Sequence, residues 1–311
     1  MTVSRRQFTL ALSAGLITVG IGACAPAGLS AEPPASSPPP AEPPQSEEPT
    51  PSPEPTPEPS PEPTPEPTPQ EILDAALQEG SNHSVGATKY AHPAEQVQGW
   101  MAEPSTAPEP IVFLTFDDGP NHSTSVQILD ILKEHEVPAT FFVVGNLVSD
   151  AHDVLQREIT EGHSIAIHSY SHNYKKLYPS RKANVDTIID ELKRTRSDLR
   201  DALGEGYNTS CWRYPGGHMS WQGMAAADEA LAAEGVHWVD WNSLTGDAEP
   251  ENRRPTTVDG MVKMATTPIA EGVKVSVMLA HDSEGKDLTV KSLPKIIEAY
   301  KEAGYTFGVI A

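Results

Sequence analysis

The chain has 311 residues and a formal net charge of −21, from 43 acidic and 22 basic side chains, with only two cysteines. So acidic a chain is a poor partner for nucleic acid or for an anionic lipid surface. Part of the charge is glutamate in a proline-rich tract, so it says less about the globular part than the total suggests.

Residues 1–24 read as an export signal. Ser4-Arg5-Arg6-Gln7-Phe8 resembles a twin-arginine signal, and the apolar stretch from Phe8 to Ala23 is short for a stable membrane span. Ile21-Gly22-Ala23-Cys24 resembles a bacterial lipobox. Cys24 is then the expected lipidated first residue of the mature protein, and the membrane its partner; a cleaved signal with an incidental cysteine is the alternative. With Cys24 so used, Cys211 has no intrachain partner and reads as a small buried apolar residue.

Residues 25–70 form a Pro/Glu-rich spacer that includes PEPTPEPSPEPTPEPTP. From Glu32 to Gln70 it has no aromatic residue and no Lys or Arg, so it cannot bury a core and is expected to be disordered. Its prolines favour polyproline II, and at roughly 3.1 Å per residue it could reach on the order of 100 Å. The expected location is extracytoplasmic: lipid-anchored to a bacterial membrane and reaching into the cell wall.

Residues 71–110 read as a leader lying against the domain that follows, with a short helix over Glu71–Gln78 and irregular chain from Gly80 to Pro110. Strand patterns then fall at Ile111–Phe116, Ala139–Val144, Ser164–Ile167, Thr209–Arg213, Val236–Trp241, Val273–Leu279 and Tyr305–Ile310. Helical patterns separate them. Ser123-Thr124 caps Val126–Glu136, Asp150 caps a helix to Glu161, and Arg181–Leu203, Ala225–Glu234, Thr257–Ala270 and Leu288–Ala303 follow. Seven strands alternating with six helices predict a parallel α/β fold, and no glycine-rich phosphate loop follows the first strand.

Polar residues recur where strands end. After the first strand come Asp117 and Asp118, and after the third comes His168-Ser169-Tyr170-Ser171-His172. The fourth runs into Arg213-Tyr214-Pro215-Gly216-Gly217, the fifth into Asp240-Trp241 and then Thr245-Gly246-Asp247, and the sixth into Leu279-Ala280-His281-Asp282. In a barrel, one layer of loops gathers such residues. His168 and His172, four apart, can share one ion, and one carboxylate would complete a two-histidine, one-carboxylate site open to water. Zinc suits these ligands, with cobalt, nickel or iron as alternatives. Neighbouring strand residues point opposite ways, so one aspartate of the pair can bind metal while the other takes a proton from metal-bound water. His281 is placed to protonate a leaving group, and the metal with a backbone N–H can hold an oxyanion.

TFDDGP, HSYSH, RYPGG and LAH, in this order, resemble the NodB-homology polysaccharide deacetylases, carbohydrate esterase family four. The resemblance runs from Ile111 to the C-terminus and implies that residues 111–311 are a catalytic domain. The implied fold is a distorted (β/α) barrel with about seven parallel strands. Carried over by position, it implies Asp118, His168 and His172 as metal ligands and Asp117 as catalytic base. Arg213 would orient and tune Asp117, Tyr214 would offer its backbone N–H to the oxyanion, and His281 would be the acid. The family often has Asp-x-x-Asp-Trp where this chain has Leu244-Thr245-Gly246-Asp247-Ala248. Asp247 can still tune His281, but the tryptophan that walls the groove is replaced by Ala248, and Trp241 is the candidate to line it instead. Leu279 is a candidate acetyl-methyl contact, and Pro215 and Gly216 are candidate groove residues.

The expected activity is removal of N-acetyl groups from a cell-wall or chitin-like N-acetylglucosamine polysaccharide, by attack of metal-bound water. The alternatives are an O-acetyl esterase of xylan type using the same site, and a non-catalytic wall-binding lipoprotein. Nothing in the sequence points to an oligomer, so a monomer is expected.

Overall fold

The computed structural model describes residues 67–311; the export signal, Cys24 and nearly all of the spacer lie outside the described residues. Ten short or medium strands are defined there. They are β1 (Ala91–His92), β2 (Ile111–Asp117), β3 (Thr140–Val143), β4 (Ser164–Ile167), β5 (Cys211–Trp212), β6 (His237–Trp238), β7 (Ser243–Leu244), β8 (Val275–His281), β9 (Thr306–Phe307) and β10 (Val309–Ile310). The helices are α1 (Pro69–Ala75), α2 (Ala94–Ala102), α3 (Thr124–Glu134), α4 (His152–Thr160), α5 (Tyr174–Leu177), α6 (Val185–Leu203), α7 (Met224–Ala233), α8 (Val258–Ala265), α9 (Thr267–Glu271) and α10 (Asp287–Glu302).

Seven parallel strands, in the order β6-β5-β4-β3-β2-β8-β7, form a curled half-barrel, with β9 added beside β2. This is the distorted (β/α) barrel expected from the sequence. Strand periodicity organises it. On β2, Val112, Leu114 and Phe116 face outward into the core shared with the helices, whereas Ile111 and Phe113 face the barrel interior. On β8, Met278 and Ala280 face outward, and Val275 and Val277 face inward. The interior is therefore apolar at its lower end. Above it stand Thr115 and Asp117 on β2 and Leu279 and His281 on β8, with Asp117 and His281 directly opposite in register.

Several expected elements are shorter or divided. The strand expected over Val236–Trp241 is confined to β6, and a separate strand, β7, follows beyond it; the two form opposite edges of the half-barrel. The four residues between them bridge its open side. Val239 N–H donates to Trp212 O at 2.9 Å, whereas Asn242 N–H donates to Val277 O at 3.2 Å. The Asn242 side chain then substitutes for missing strand backbone: its Nδ2 donates to Val275 O and its Oδ1 accepts from Val277 N–H, both at 2.8 Å. Tyr305–Ile310 divides into β9, paired with β2, and β10, paired with β1. The helix expected from Arg181 begins only at Val185, where the Asn184 side chain accepts the N–H of Thr187.

The segment from Gly80 to Pro110 is not irregular throughout. It contains α2, whose Ala94, Val97 and Trp100 join Phe113, Phe142, Cys211, Val239 and Val277 in the interior core. Helix α2 thus plugs the barrel below the site, and Ala94 N–H donates to Ala311 O at 2.9 Å. Among the described residues, no helix is long and apolar enough to cross a membrane.

Candidate active site

A cavity of about 270 Å³ opens at the C-terminal ends of the parallel strands. It is lined by Asp117, Asp118, His168, His172, Tyr174, Gly216, Trp241, Leu244, Asp247, Ala248, Glu249, Leu279 and His281. Chain ends of β2, β4, β5 and β8 converge there because their inward-facing period ends on polar residues. Asp118, however, departs from the alternation expected for neighbouring strand residues. It lies beyond β2 with φ at +80°, a left-handed conformation that returns its side chain to the same cavity as Asp117. Ser169 (φ +69°) and His172 (φ +48°) share that region, so strained backbone clusters around one point.

Ligand-type atoms of Asp118, His168 and His172 lie within 4.8 Å of one another. His168 Nδ1 is 2.9 Å from the Arg213 carbonyl, an acceptor, so Nδ1 carries the proton and Nε2 presents a lone pair. Burial lowers the His168 pKa to about 3, which keeps the ring neutral. His168 Nε2 stands 3.7 Å and His172 Nε2 3.2 Å from Asp118 Oδ1. The 3.2 Å approach does not align as a hydrogen bond, and Asp118 Oδ1 is buried without a hydrogen-bond partner. A buried carboxylate oxygen facing two imidazole nitrogens is what a divalent cation would satisfy, and the donor set suits zinc or a similar ion. The His172 loop is held from helix α6. There the buried Glu191 carboxylate accepts the N–H groups of Tyr170 and Ser171, each at 3.0 Å, and the Ser171 hydroxyl at 2.6 Å.

Asp117 sits beside this set, fully buried, with Oδ1 accepting from Arg213 Nη1 at 2.8 Å. Burial pushes its carboxyl upward from the ordinary range, while the Arg213 guanidinium pulls it back. Arg213 is itself fixed on every side. It donates to Thr115 Oγ1 at 2.7 Å and Val239 O at 3.0 Å, and its guanidinium lies 3.9 Å from the Phe142 ring centre.

Across the cavity, His281 Nδ1 is 2.8 Å from Asp247 Oδ1, and Asp247 Oδ2 accepts the His281 N–H at 2.9 Å and the Thr289 hydroxyl at 2.8 Å. Burial works to lower the His281 pKa, but the hydrogen bond and charge of Asp247 outweigh it and raise the imidazolium above its ordinary range. Burial similarly works to raise the Asp247 carboxyl, and its bond to His281 brings it down to about 2. Lys286 adds an N–H to the Asp247 carbonyl at 3.0 Å.

Of the groove candidates, Gly216, Trp241 and Leu279 line the cavity, and Pro215 does not. Gly217 makes room for Trp241: with φ at +81°, a Cβ there would lie 2.8 Å from the indole Cη2. The Tyr214 side chain is buried and turned aside, its hydroxyl donating to Asp228 at 3.0 Å, so only its main chain can serve the cavity. Sequence reasoning missed Glu191, Thr289 and Lys286, which act through loops and caps that no local motif marks. It also left Asp282 without a task. Its N–H donates to Asp117 O at 3.0 Å, and burial pushes its carboxyl up to about 7.

A polar cavity of this make-up at the strand ends of a parallel half-barrel defines a hydrolase-type α/β protein. Residues 105–232 match the family described as polysaccharide deacetylase. A peptidoglycan-N-acetylglucosamine deacetylase of Bacillus cereus is 30% identical over 203 residues, covering 63% of this chain and 68% of that protein. A solved Streptococcus mutans CE4 esterase is 47% identical, with a TM-score of 0.73, covering 76% of this chain and 99% of that one. The chain belongs to the polysaccharide deacetylase family, carbohydrate esterase family four. A bifunctional xylanase/deacetylase of Pseudobutyrivibrio xylanivorans is 29% identical, and this chain spans only 31% of its length.

Proposed function

We propose that the protein is a metal-dependent deacetylase that removes N-acetyl groups from an N-acetylglucosamine polysaccharide of the cell-wall or chitin type. The observation that carries this reading is the convergence of three elements in one cavity: the Asp118, His168 and His172 donor set, the Asp117–Arg213 pair, and the His281–Asp247 pair. A divalent cation held by Asp118, His168 and His172 would supply positive charge to polarise the acetyl carbonyl and acidify water.

The chain's own residues supply the rest. Asp117, with one oxygen tied to Arg213, takes a proton from the attacking water as its oxygen bonds to the acetyl carbon. The Tyr214 main-chain N–H offers a donor to the carbonyl oxygen as it gains charge. His281, whose protonated form Asp247 favours, gives its proton to the sugar nitrogen as the C–N bond breaks. Acetate and a free amine leave. Leu279 gives the acetyl methyl an apolar contact, and Trp241 walls the groove.

A second reading, O-acetyl ester hydrolysis, draws support from the esterase and xylanase/deacetylase descriptions of the relatives. Acetate release from chito-oligosaccharide, peptidoglycan and acetylated xylan separates the two. Release from the amides only, abolished by chelation and restored by Zn²⁺, Co²⁺ or Ni²⁺, is the expected result. Release that survives chelation, or normal turnover in Asp117→Asn, overturns the mechanism. As part of the same proposal, Cys24 carries the lipid that anchors the protein outside the cytoplasm. Cys24→Ser should abolish incorporation of a fatty-acid label, and labelling that persists removes the anchor.

A further inference from the structure

We infer that Tyr174, backed by Trp221, is a stacking shelf for the sugar residue adjoining the one whose acetyl group is removed. The inference rests on the glycan-deacetylase reading above. The cavity of about 270 Å³ lies just below the range usual for drug-sized ligands. It suits one sugar unit, so neighbouring units of a polymer must rest on its rim.

Apart from Trp241, which also lines the cavity, Tyr174 is an aromatic side chain at that rim. It lines the cavity and also an adjoining open depression shared with Ser171, His172, Asn173 and Lys175. It is 43% exposed, one of few large hydrophobic residues left so open among the described residues. Its ring centre is 5.3 Å from that of His172. A sugar leaving the cavity on this side would therefore meet its face. The C–H groups on one face of a pyranose ring pack well on an aromatic face, and the phenol keeps a polar tip for a hydroxyl.

The shelf is also built to stay in place. Trp221 meets Tyr174 edge to face at 5.3 Å and stacks on Tyr178 at 4.1 Å, its Nε1 donating to Pro215 O at 2.9 Å. Arg181 covers Trp221 at 5.4 Å and donates to Ser220 O at 2.6 Å. Ser180 and Arg181 hold φ values of +54° and +65°, a strained turn that persists because it is pinned to Gln222 by backbone bonds of 2.9 and 3.0 Å. Asn173 caps the first turn of α5, fixing Tyr174 at its start. Opposite, Gly216 (φ +78°) leaves the shelf free: a Cβ there would lie 3.2 Å from Trp221 and 3.4 Å from the Tyr174 hydroxyl. The positive φ favours glycine at that position, and a Cβ there would be tight against Trp221 while making ordinary contact with Tyr174.

The test compares acetate release from diacetylchitobiose and tetraacetylchitotetraose by the Zn²⁺-supplied wild type, Tyr174→Ala and Tyr174→Phe. Wild type should favour the tetramer. Tyr174→Ala should lose about tenfold in kcat/KM on the tetramer, mostly through KM, and so lose the preference for length. Tyr174→Phe keeps the aromatic face and should keep the preference. The inference is overturned if Tyr174→Ala, folded by circular dichroism, retains the wild-type length preference, loses equally on both substrates, or is matched in its loss by Tyr174→Phe. If wild type releases no acetate from either glycan, the functional reading fails separately. Calorimetric titration with chitotetraose and xylotetraose then judges the shelf: binding lost in Tyr174→Ala upholds it, and equal binding or none overturns it.

Discussion

At the scale of single residues, the site works by giving similar groups different surroundings. Asp117 and Asp118 are adjacent, yet one is bound to Arg213 and the other faces two imidazoles. The two site histidines that touch a partner differ in the same way. His168 is held neutral by burial and a carbonyl, whereas at His281 the Asp247 carboxylate favours the charged ring. If His281 is the acid, activity requires its imidazolium and falls as pH rises through its pKa. Asp247 raises that pKa, so Asp247→Asn should move the alkaline limb of the kcat/KM profile to lower pH. His281→Ala should lose about 10²–10⁴ in kcat with the fold retained. An alkaline limb unmoved in Asp247→Asn would detach the pair from the proton transfer. The residue types at this site were legible in the sequence as polar strand ends. The shared direction of Asp117 and Asp118 was not, because it depends on a positive φ at Asp118 that strand alternation does not anticipate.

At the scale of elements, the strands position one half of the site and a helix positions the other. Asp117 and His281 need no more than a register between β2 and β8. His172 sits on a loop, and that loop is fixed by Glu191 from the middle of α6. A carboxylate accepting two backbone N–H groups and a hydroxyl fixes the loop that carries His172 without touching the imidazole. Glu191→Ala should therefore weaken metal binding about 10–100-fold, as loss of an outer support does. Competition against a chromophoric chelator measures it, and unchanged affinity removes Glu191 from the role. The apolar runs of β2 and β8 made those strands legible, since a buried parallel strand reads as a continuous apolar stretch. The end of the strand at Trp238 was hidden because Val239 and Trp241 continue the strand pattern, and β7 lies beyond the expected range. What ends the strand is tertiary: the chain must leave Trp212 and reach Val277 across the open side of the barrel.

For the molecule as a whole, the half-barrel has a lower end that its own strands do not close. Helix α2 closes it, although the stretch around it reads as irregular, because nine residues with Ala94, Val97 and Trp100 on one face give too short a pattern to stand out. Trp100 is 7% exposed and packs in the interior core with residues that lie below the site, Phe113 and Phe142 among them. The same Phe142 ring supports the Arg213 guanidinium, which in turn holds Asp117. The plug and the site are thus two ends of one packed column. Trp100→Ala should cost about 3–5 kcal/mol of stability, as large-to-small changes of buried tryptophan do. Urea denaturation measures that loss. The column adds a second expectation: at temperatures where the variant is still folded, kcat should fall while metal affinity holds, because the cavity lies under Arg213 and not under the histidine loop. A stability change below 1 kcal/mol would mean that α2 only covers the barrel. A stability loss of the expected size with kcat unchanged would mean that packing ends at Phe142 and that Arg213 is held by its hydrogen bonds to Asp117, Thr115 and Val239.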